Sequence, residues 1–312
     1  MAAGAEAGQG YQAQAPLKGV LWMVLAAFFF AVSVGLVRYI SLRIDAFEQT
    51  FWRQFIGFVI ILPIVLRHGL PGLRTRQLGT HLVRNLMGYI GIALSFYSVT
   101  LIPLADSLAL QFTLPLFTIV FAMIILSERV GVHRLAATAA GFVGALVILR
   151  PGFAEIRFGM IVALGAAAFL AISDTLVRRL SRAEPTTLIV FYSYALQVPI
   201  AFAVALFHWV TPARADWPWL IALGLCSFIA SWSLSRAFIL AEASLVSPVL
   251  FLRLPIVSAI GYVFFAQVPD VWAWIGAVVI FASTTYAARR EALHHRRLRA
   301  AAAAVAVAES PR

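Results

Sequence analysis

Long apolar blocks separated by short, mostly basic breaks run almost the whole length of the chain. The pattern is clearest from Ile102 to Gly152. A charge-free run from Ser107 to Ser127 is interrupted by Pro115 and followed by the polar break Glu128-Arg129, with His133-Arg134 just beyond. A second apolar run, Leu135 to Leu149, closes on Arg150-Pro151-Gly152. A helix of about 20 residues is ~30 Å long, the thickness of a bilayer's hydrocarbon core. The spacing therefore predicts two membrane helices joined by a basic turn. Along the chain the same reading places ten helices, near 18–38, 46–66, 81–101, 104–126, 135–150, 158–177, 186–209, 217–237, 244–266 and 270–288. The fifth is the shortest, and it spans if Arg134 and Arg150 reach outward to the headgroups.

The stretch around Pro115 has a counterpart from Ser247 to Ser283. Pro255 stands where Pro115 does, Gln267 where Glu128 does, and Gly276 where Ala137 does, at offsets of 139 or 140 residues. This agreement predicts an internal duplication. The halves hold five helices each, and an odd number forces opposite orientations in the membrane. The predicted fold class is thus an all-α membrane protein of ten transmembrane helices in two inverted five-helix repeats. The expected divisions are a disordered tail over 1–16, a first repeat over 17–152, a second over 153–288, and a basic cytoplasmic tail over 289–312.

Composition agrees with this reading. Of 312 residues, 62% are hydrophobic and 12% charged, about half the charge fraction of an ordinary soluble domain. Long uniform runs specify helices rather than a barrel, because backbone groups in lipid must bond within their own segment. The net charge of +11 would point to nucleic acid in a soluble chain. Here the basic residues lie between apolar blocks, so they report topology and no nucleic-acid partner is expected. With the amino terminus inside, 17 basic residues fall on the inner side and 5 on the outer. Cytoplasmic loops are positive, so both termini are expected in the cytoplasm of a cell whose inner membrane holds the protein. The tail arginines are expected to meet membrane lipid. The single cysteine, Cys226, excludes an internal disulfide. His294-His295 have no third ligand nearby, so no metal is expected. No phosphate loop, HExxH or nucleophile elbow is present, which leaves neither an enzyme nor a cofactor site to predict.

Several of these residues together resemble a known family. Pro103-Leu104-Ala105-Asp106, Pro115-Leu116, Ser127-Glu128-Arg129, Gly141 and Gly144 are similar to the EamA-type repeat of the drug/metabolite transporter superfamily. Arg53 and Arg150-Pro151-Gly152 fit as well. The likeness covers nearly the whole span from the first helix to the tenth. The second repeat departs at Gln267, where glutamate is usual, and at Arg253, on a helix usually less charged. The resemblance implies a secondary carrier with a central cavity between its repeats. Family members move amino acids, nucleotide-like metabolites, riboflavin, S-adenosylmethionine and drugs.

Within the apolar blocks a few polar residues stand out. Arg253 lies two residues before Pro255 near the middle of the ninth helix. A cation at mid-bilayer costs about 2.5–3.5 kcal/mol on insertion scales, so it should face protein, water or a ligand. Thr113 occupies the matching place before Pro115, and Gln111 lies half a turn away. These three are expected to bind substrate, Arg253 by pairing with a carboxylate or phosphate. Tyr89 and Phe251 are candidates to stack a flat substrate, and Ser231 and Trp232 belong with Ser227, Ser233 and Ser235 to an unusually polar eighth helix whose hydroxyl stripe either lines a cavity or bonds a neighbouring helix. Arg53 reads as structural. Asp174 and Arg178 stand at i and i+4, which predicts a salt bridge, with a proton-coupling carboxylate at Asp174 as the alternative, and Asp106 and Glu242 read as caps. Ala137, Gly141 and Ala145, with Ala273 and Ala277, form small ridges for close packing within the chain, with a homodimer seam as the alternative. The sequence thus predicts a secondary transporter of a small polar or amphipathic metabolite, an amino acid or related zwitterion, working by alternating access. A flat heteroaromatic metabolite such as riboflavin or S-adenosylmethionine is the second reading. A membrane receptor or scaffold without transport is the third.

Overall fold

The structure is a computed structural model that describes residues 16–67, 75–128, 131–150, 157–181, 183–184, 186–241, 246–268, 270–287 and 289. The terminal tails, Arg129, Pro151-Gly152, Glu242 and His294-His295 lie outside them. The elements are α1 (Pro16–Ile40), α2 (Ala46–Arg67), α3 (Leu78–Leu101), α4 (Leu104–Gln111), α5 (Leu114–Ile125), α6 (Val132–Leu149), α7 (Phe158–Ser181), α8 (Thr186–Ala205) and α9 (Trp217–Leu240). A 3₁₀ turn (Ser247–Leu252) leads into α10 (Arg253–Phe265), and α11 spans Val271–Ala287. Among the described residues there is no strand. Among the described residues seven stretches are long and apolar enough to cross a membrane, α4 with α5 and the 3₁₀ turn with α10 each counting once. The apolar parts of α6 and α11 are shorter, and α2, which carries Glu48 and Arg53, is not among the seven.

The fourth and ninth expected helices are not continuous. Between α4 and α5 the chain turns at Phe112 and Thr113. Pro115 has no N–H to give residue 111, and its ring crowds that carbonyl. The Thr113 hydroxyl instead donates to the Leu110 carbonyl at 2.6 Å. In the second half, Pro255 follows the point where the 3₁₀ turn relaxes into α10. Both breaks sit just before the proline of their repeat.

The two halves also end these helices alike. Ser127 and Ala266, 139 residues apart, both take positive φ, 52° and 50°. The next amide bonds back to a carbonyl in the last turn, Glu128 to Ala122 and Gln267 to Gly261, again 139 apart. Packing follows the same exchange. α3 lies along α7 and α1 along α9; α7 also meets α4 and α5, whereas α1 meets α10 and its 3₁₀ turn. α2 and α8 pack on each other.

The small ridges on α6 and α11 meet within the chain. A Cβ at Gly276 would stand 2.5 Å from the Gly144 carbonyl oxygen, and one at Gly144 would stand 2.9 Å from the Gly276 oxygen. Ala145, Ile148, Ala273, Ala277 and Ile280 close around this crossing in the main apolar core.

One face of the bundle is fastened by polar contacts. Arg43 pairs with Asp216 at 3.1 Å, and Arg150 pairs with Asp270. Arg38 donates to the Val99 and Thr100 carbonyls at the end of α3, at 2.7 and 2.6 Å. Glu48 accepts from the Trp52 indole and the Val210 amide. Gln267 accepts the first free amide of α4, that of Leu104, at 3.0 Å. That last contact corrects the expected role of Asp106. Asp106 sits inside the first turn of α4 without a capping bond, with Oδ1 buried and unpartnered, and the cap comes from the other repeat. On the opposite face, Glu184 accepts from the Thr75 hydroxyl and bonds the His81 ring at 2.6 Å.

Candidate functional site

A cavity of about 830 Å³ opens among α4, α5, α7, α9, α10 and α11. Its lining residues define where it lies. Asp174 and Arg178 come from the last turns of α7, Phe238 from the last turn of α9, Pro248 from the start of the 3₁₀ turn, and Thr284 and Thr285 from the end of α11. All of these ends lie on the face that bears Glu184 and His81. Away from these ends, Gln111, Phe112 and Arg253 stand at the two proline breaks, with Leu108 one turn beyond on α4. The breaks therefore form the floor, and the cavity reaches from them towards one face while the other face is fastened.

Arg253 occupies the floor, and among the described residues no acceptor is hydrogen-bonded to its guanidinium. Among the described residues it makes no ion pair, and its Nε is buried without a hydrogen-bond partner. Its guanidinium lies 5.1 Å from the centroid of the Phe30 ring of α1, a cation–π placement. Gln111 is held from two sides, its Oε1 accepting from Ser95 at 2.7 Å and its Nε2 donating to Ser107 at 3.1 Å. One amide hydrogen remains for a ligand. Phe251 stacks on Phe112 at 4.1 Å between centroids and tilts against Phe281 at 4.4 Å. Two aromatic faces from the two repeats thus meet beside the arginine.

Of the seven residues singled out from the sequence, Arg253, Gln111 and Phe251 line this cavity. The other four lie elsewhere. Thr113 is buried and spends its hydroxyl on Leu110. Tyr89 is buried with Phe51, Ala93, Ala201 and Ala205, between α2, α3 and α8. Trp232 is 41% exposed, stacked on Phe228 and covered by Arg236. Ser231 donates to the Ser227 carbonyl, and Ser235 to that of Ser231. The hydroxyl stripe thus bonds its own helix, and through Ser227 it reaches Ser33 of α1 at 3.3 Å.

Asp174 is the main addition. The expected pair with Arg178 does not form: among the described residues Asp174 has no ion pair within 4 Å and no hydrogen bond. The i, i+4 spacing permits that pair but does not compel it, and the cavity offers the carboxylate room. Phe112, Thr284 and Thr285 were also missed, although two hydroxyls side by side on an apolar helix were a readable signal. Arg53 bonds its neighbour Gln54 at 2.6 Å and lies over Phe96. It is Gln54, through Gln197, that joins α2 to α8. Among the described residues no three His, Cys, Asp or Glu side chains are placed to hold a metal ion.

A helical bundle with exchanged packing between two halves, a cavity at paired helix breaks and one fastened face is the architecture of a transmembrane transporter. The sequence model of the EamA-like transporter family matches residues 17–150 and again 157–288. The chain belongs to that family, and so to the drug/metabolite transporter superfamily. It is 32% identical over 281 residues to a riboflavin transporter of Vibrio cholerae, covering 88% of this chain and 94% of that protein. It is 27% identical to an S-adenosylmethionine uptake transporter of Rickettsia prowazekii (86% and 92% covered). It is 32% identical to a pseudopaline exporter of Pseudomonas aeruginosa (84% and 93% covered). A solved crystal structure at 19% identity shares the fold, with a TM-score of 0.60 over 87% of this chain and 98% of its own.

Proposed function

We propose that the protein is an inner-membrane carrier of a flat heteroaromatic metabolite, a ring bearing a polar chain as in riboflavin or S-adenosylmethionine. The observation that carries this reading is the Phe112–Phe251 stack in one cavity with Arg253, which makes no ion pair among the described residues. A stacked pair has faces that a planar ring can enter or extend, and such stacking is worth about 1–3 kcal/mol per ring. Arg253 and Gln111 hold the ligand's polar chain. Riboflavin and S-adenosylmethionine carriers among the relatives support the same class.

The carrier works by alternating access. Its repeats are 17–152 and 153–288, with ten spans in inverted orientation, both termini in the cytoplasm, and basic tail residues against membrane lipid. The cavity opens on the cytoplasmic face here, and the Arg43–Asp216, Arg150–Asp270 and Gln267–Leu104 contacts close the other. Rocking of one repeat against the other exchanges the two openings. Relatives named for uptake and for export are similar in sequence to most of this chain, so gradients rather than architecture set the direction of flux.

Reconstituted vesicles test the reading. Labelled riboflavin or S-adenosylmethionine should enter vesicles holding wild-type protein. Phe251→Ala and Arg253→Gln should each lower the initial rate at least fivefold without loss of folded protein, in line with about 1 kcal/mol or more per contact. Absence of flux for both metabolites sinks the proposal.

A further inference from the structure

The cavity is lined by one anionic side chain, Asp174, and two cationic ones, Arg178 and Arg253, and neither cation pairs with the carboxylate. Arg253 stands on the floor, on α10, and Asp174 on the wall, on α7. Neither lies within 4 Å of an opposite charge among the described residues. Arg84 of α3 and Arg178 are within electrostatic reach of Asp174. Arg84 is engaged elsewhere, donating to Asn85 and Ser193 at 2.7 and 2.6 Å. An ionised group at membrane depth is costly unless something pairs with it. Here an anion and a cation are both left facing the same space.

We infer that the cavity selects a zwitterion: Arg253 receives the carboxylate of the substrate and Asp174 its ammonium or other cationic centre. The inference rests on the heteroaromatic reading and sharpens it. Among flat metabolites it favours those whose ring carries an amino-acid group, as S-adenosylmethionine does, over an uncharged one such as riboflavin. The aromatic stack is common to both and does not discriminate. A site built to pair a charged group rejects the analogue lacking it, because its own charge is then left buried and alone.

Binding to the purified full-length protein in detergent separates the cases. Calorimetric titration with S-adenosylmethionine, riboflavin and 5′-methylthioadenosine is made on wild type, Asp174→Asn and Asp174→Glu. 5′-Methylthioadenosine keeps the adenine ring but lacks the amino-acid group. Wild type should bind S-adenosylmethionine at least tenfold more tightly than 5′-methylthioadenosine. Asp174→Asn should lose at least tenfold of its S-adenosylmethionine affinity and change less than twofold for 5′-methylthioadenosine, whereas Asp174→Glu should keep most of it. Equal wild-type affinity for the two adenine ligands overturns the inference without any variant having to fold. So does a folded Asp174→Asn that binds S-adenosylmethionine as wild type does, or that weakens for all ligands alike. Tight riboflavin binding with no S-adenosylmethionine binding overturns the zwitterion inference and leaves the heteroaromatic reading intact. Binding of none of the three overturns both.

Discussion

At Gly276 one carbon decides whether α6 and α11 can touch. A Cβ there would meet the Ile148 side chain and, at 2.5 Å, the Gly144 carbonyl oxygen, so moving a side chain alone does not make room. Gly276→Ala should destabilise the protein by about 1–3 kcal/mol, the usual range for overpacking. Thermal unfolding in detergent checks it, with Gly79→Ala as the control. A Cβ at Gly79 meets nothing within 4 Å, so that variant should be neutral or stabilised by up to about 1 kcal/mol. Equal melting temperatures for the two would refute the close crossing. Glu184 gives a second residue-scale test. Burial raises its carboxyl, but hydrogen bonds from Thr75 and His81 and the charge of His81 outweigh that and hold it below its ordinary 4.5. A carboxyl lowered by folding stabilises fully above its unfolded value, and the gain disappears as pH falls through the folded value. Wild type should therefore lose stability more steeply than Glu184→Gln as the pH is lowered from 6 towards 3, and parallel curves would dismiss the clamp.

Among the elements, α4 shows how the repeats are tied. Its first amide is capped by Gln267, which sits just past the end of α10 in the other half. Losing a helix cap costs roughly 0.5–2 kcal/mol. Gln267→Ala should lower the unfolding temperature by that measure, and Gln267→Glu should keep it, since a carboxylate also accepts and its charge suits a helix start. A Gln267→Glu variant as weak as Gln267→Ala would argue against the cap. The glutamate usual at this place in the family would do the same work. The α4–α5 break was half legible: Pro115 marked it, but the sequence could not say that Thr113 would spend its hydroxyl on the backbone there. Helix periodicity locates a residue along the axis, whereas its hydrogen bonds are chosen only once the neighbouring turn is fixed.

For the whole molecule, the proposed alternating access requires the fastened face to open. The Arg150–Asp270 pair is about one-third exposed on both sides, so it is worth up to about 1 kcal/mol. Arg150→Ala should shift the ratio of conformations towards opening on that face by up to about fivefold. A cysteine at Ala105, in a Cys226→Ser background, reports this through its labelling by an impermeant maleimide. Restoration of the slow rate by the charge swap Arg150→Asp with Asp270→Arg would assign the effect to the pair. An unchanged labelling rate in Arg150→Ala would remove the pair from the gate.

The hydrophobic pattern determined the helical class and the apolar spans, because bilayer thickness and backbone hydrogen bonding leave few other outcomes for such blocks; landmarks 139 or 140 residues apart marked the doubled halves, and the resemblance of particular motif residues pointed to the carrier family. The pattern also marked Arg253, since a mid-span cation must face something other than lipid. Which helices meet, and therefore which polar groups share a space, was decided only in three dimensions. Asp174 and Arg178 looked like partners at one helical turn, yet α7 turns the acid into the cavity, unpaired among the described residues. Ser231 and Trp232 looked like cavity residues, yet one bonds its own helix and the other lies on the outer surface. Small contributions from many neighbours settle those orientations, and no single stretch of sequence contains them.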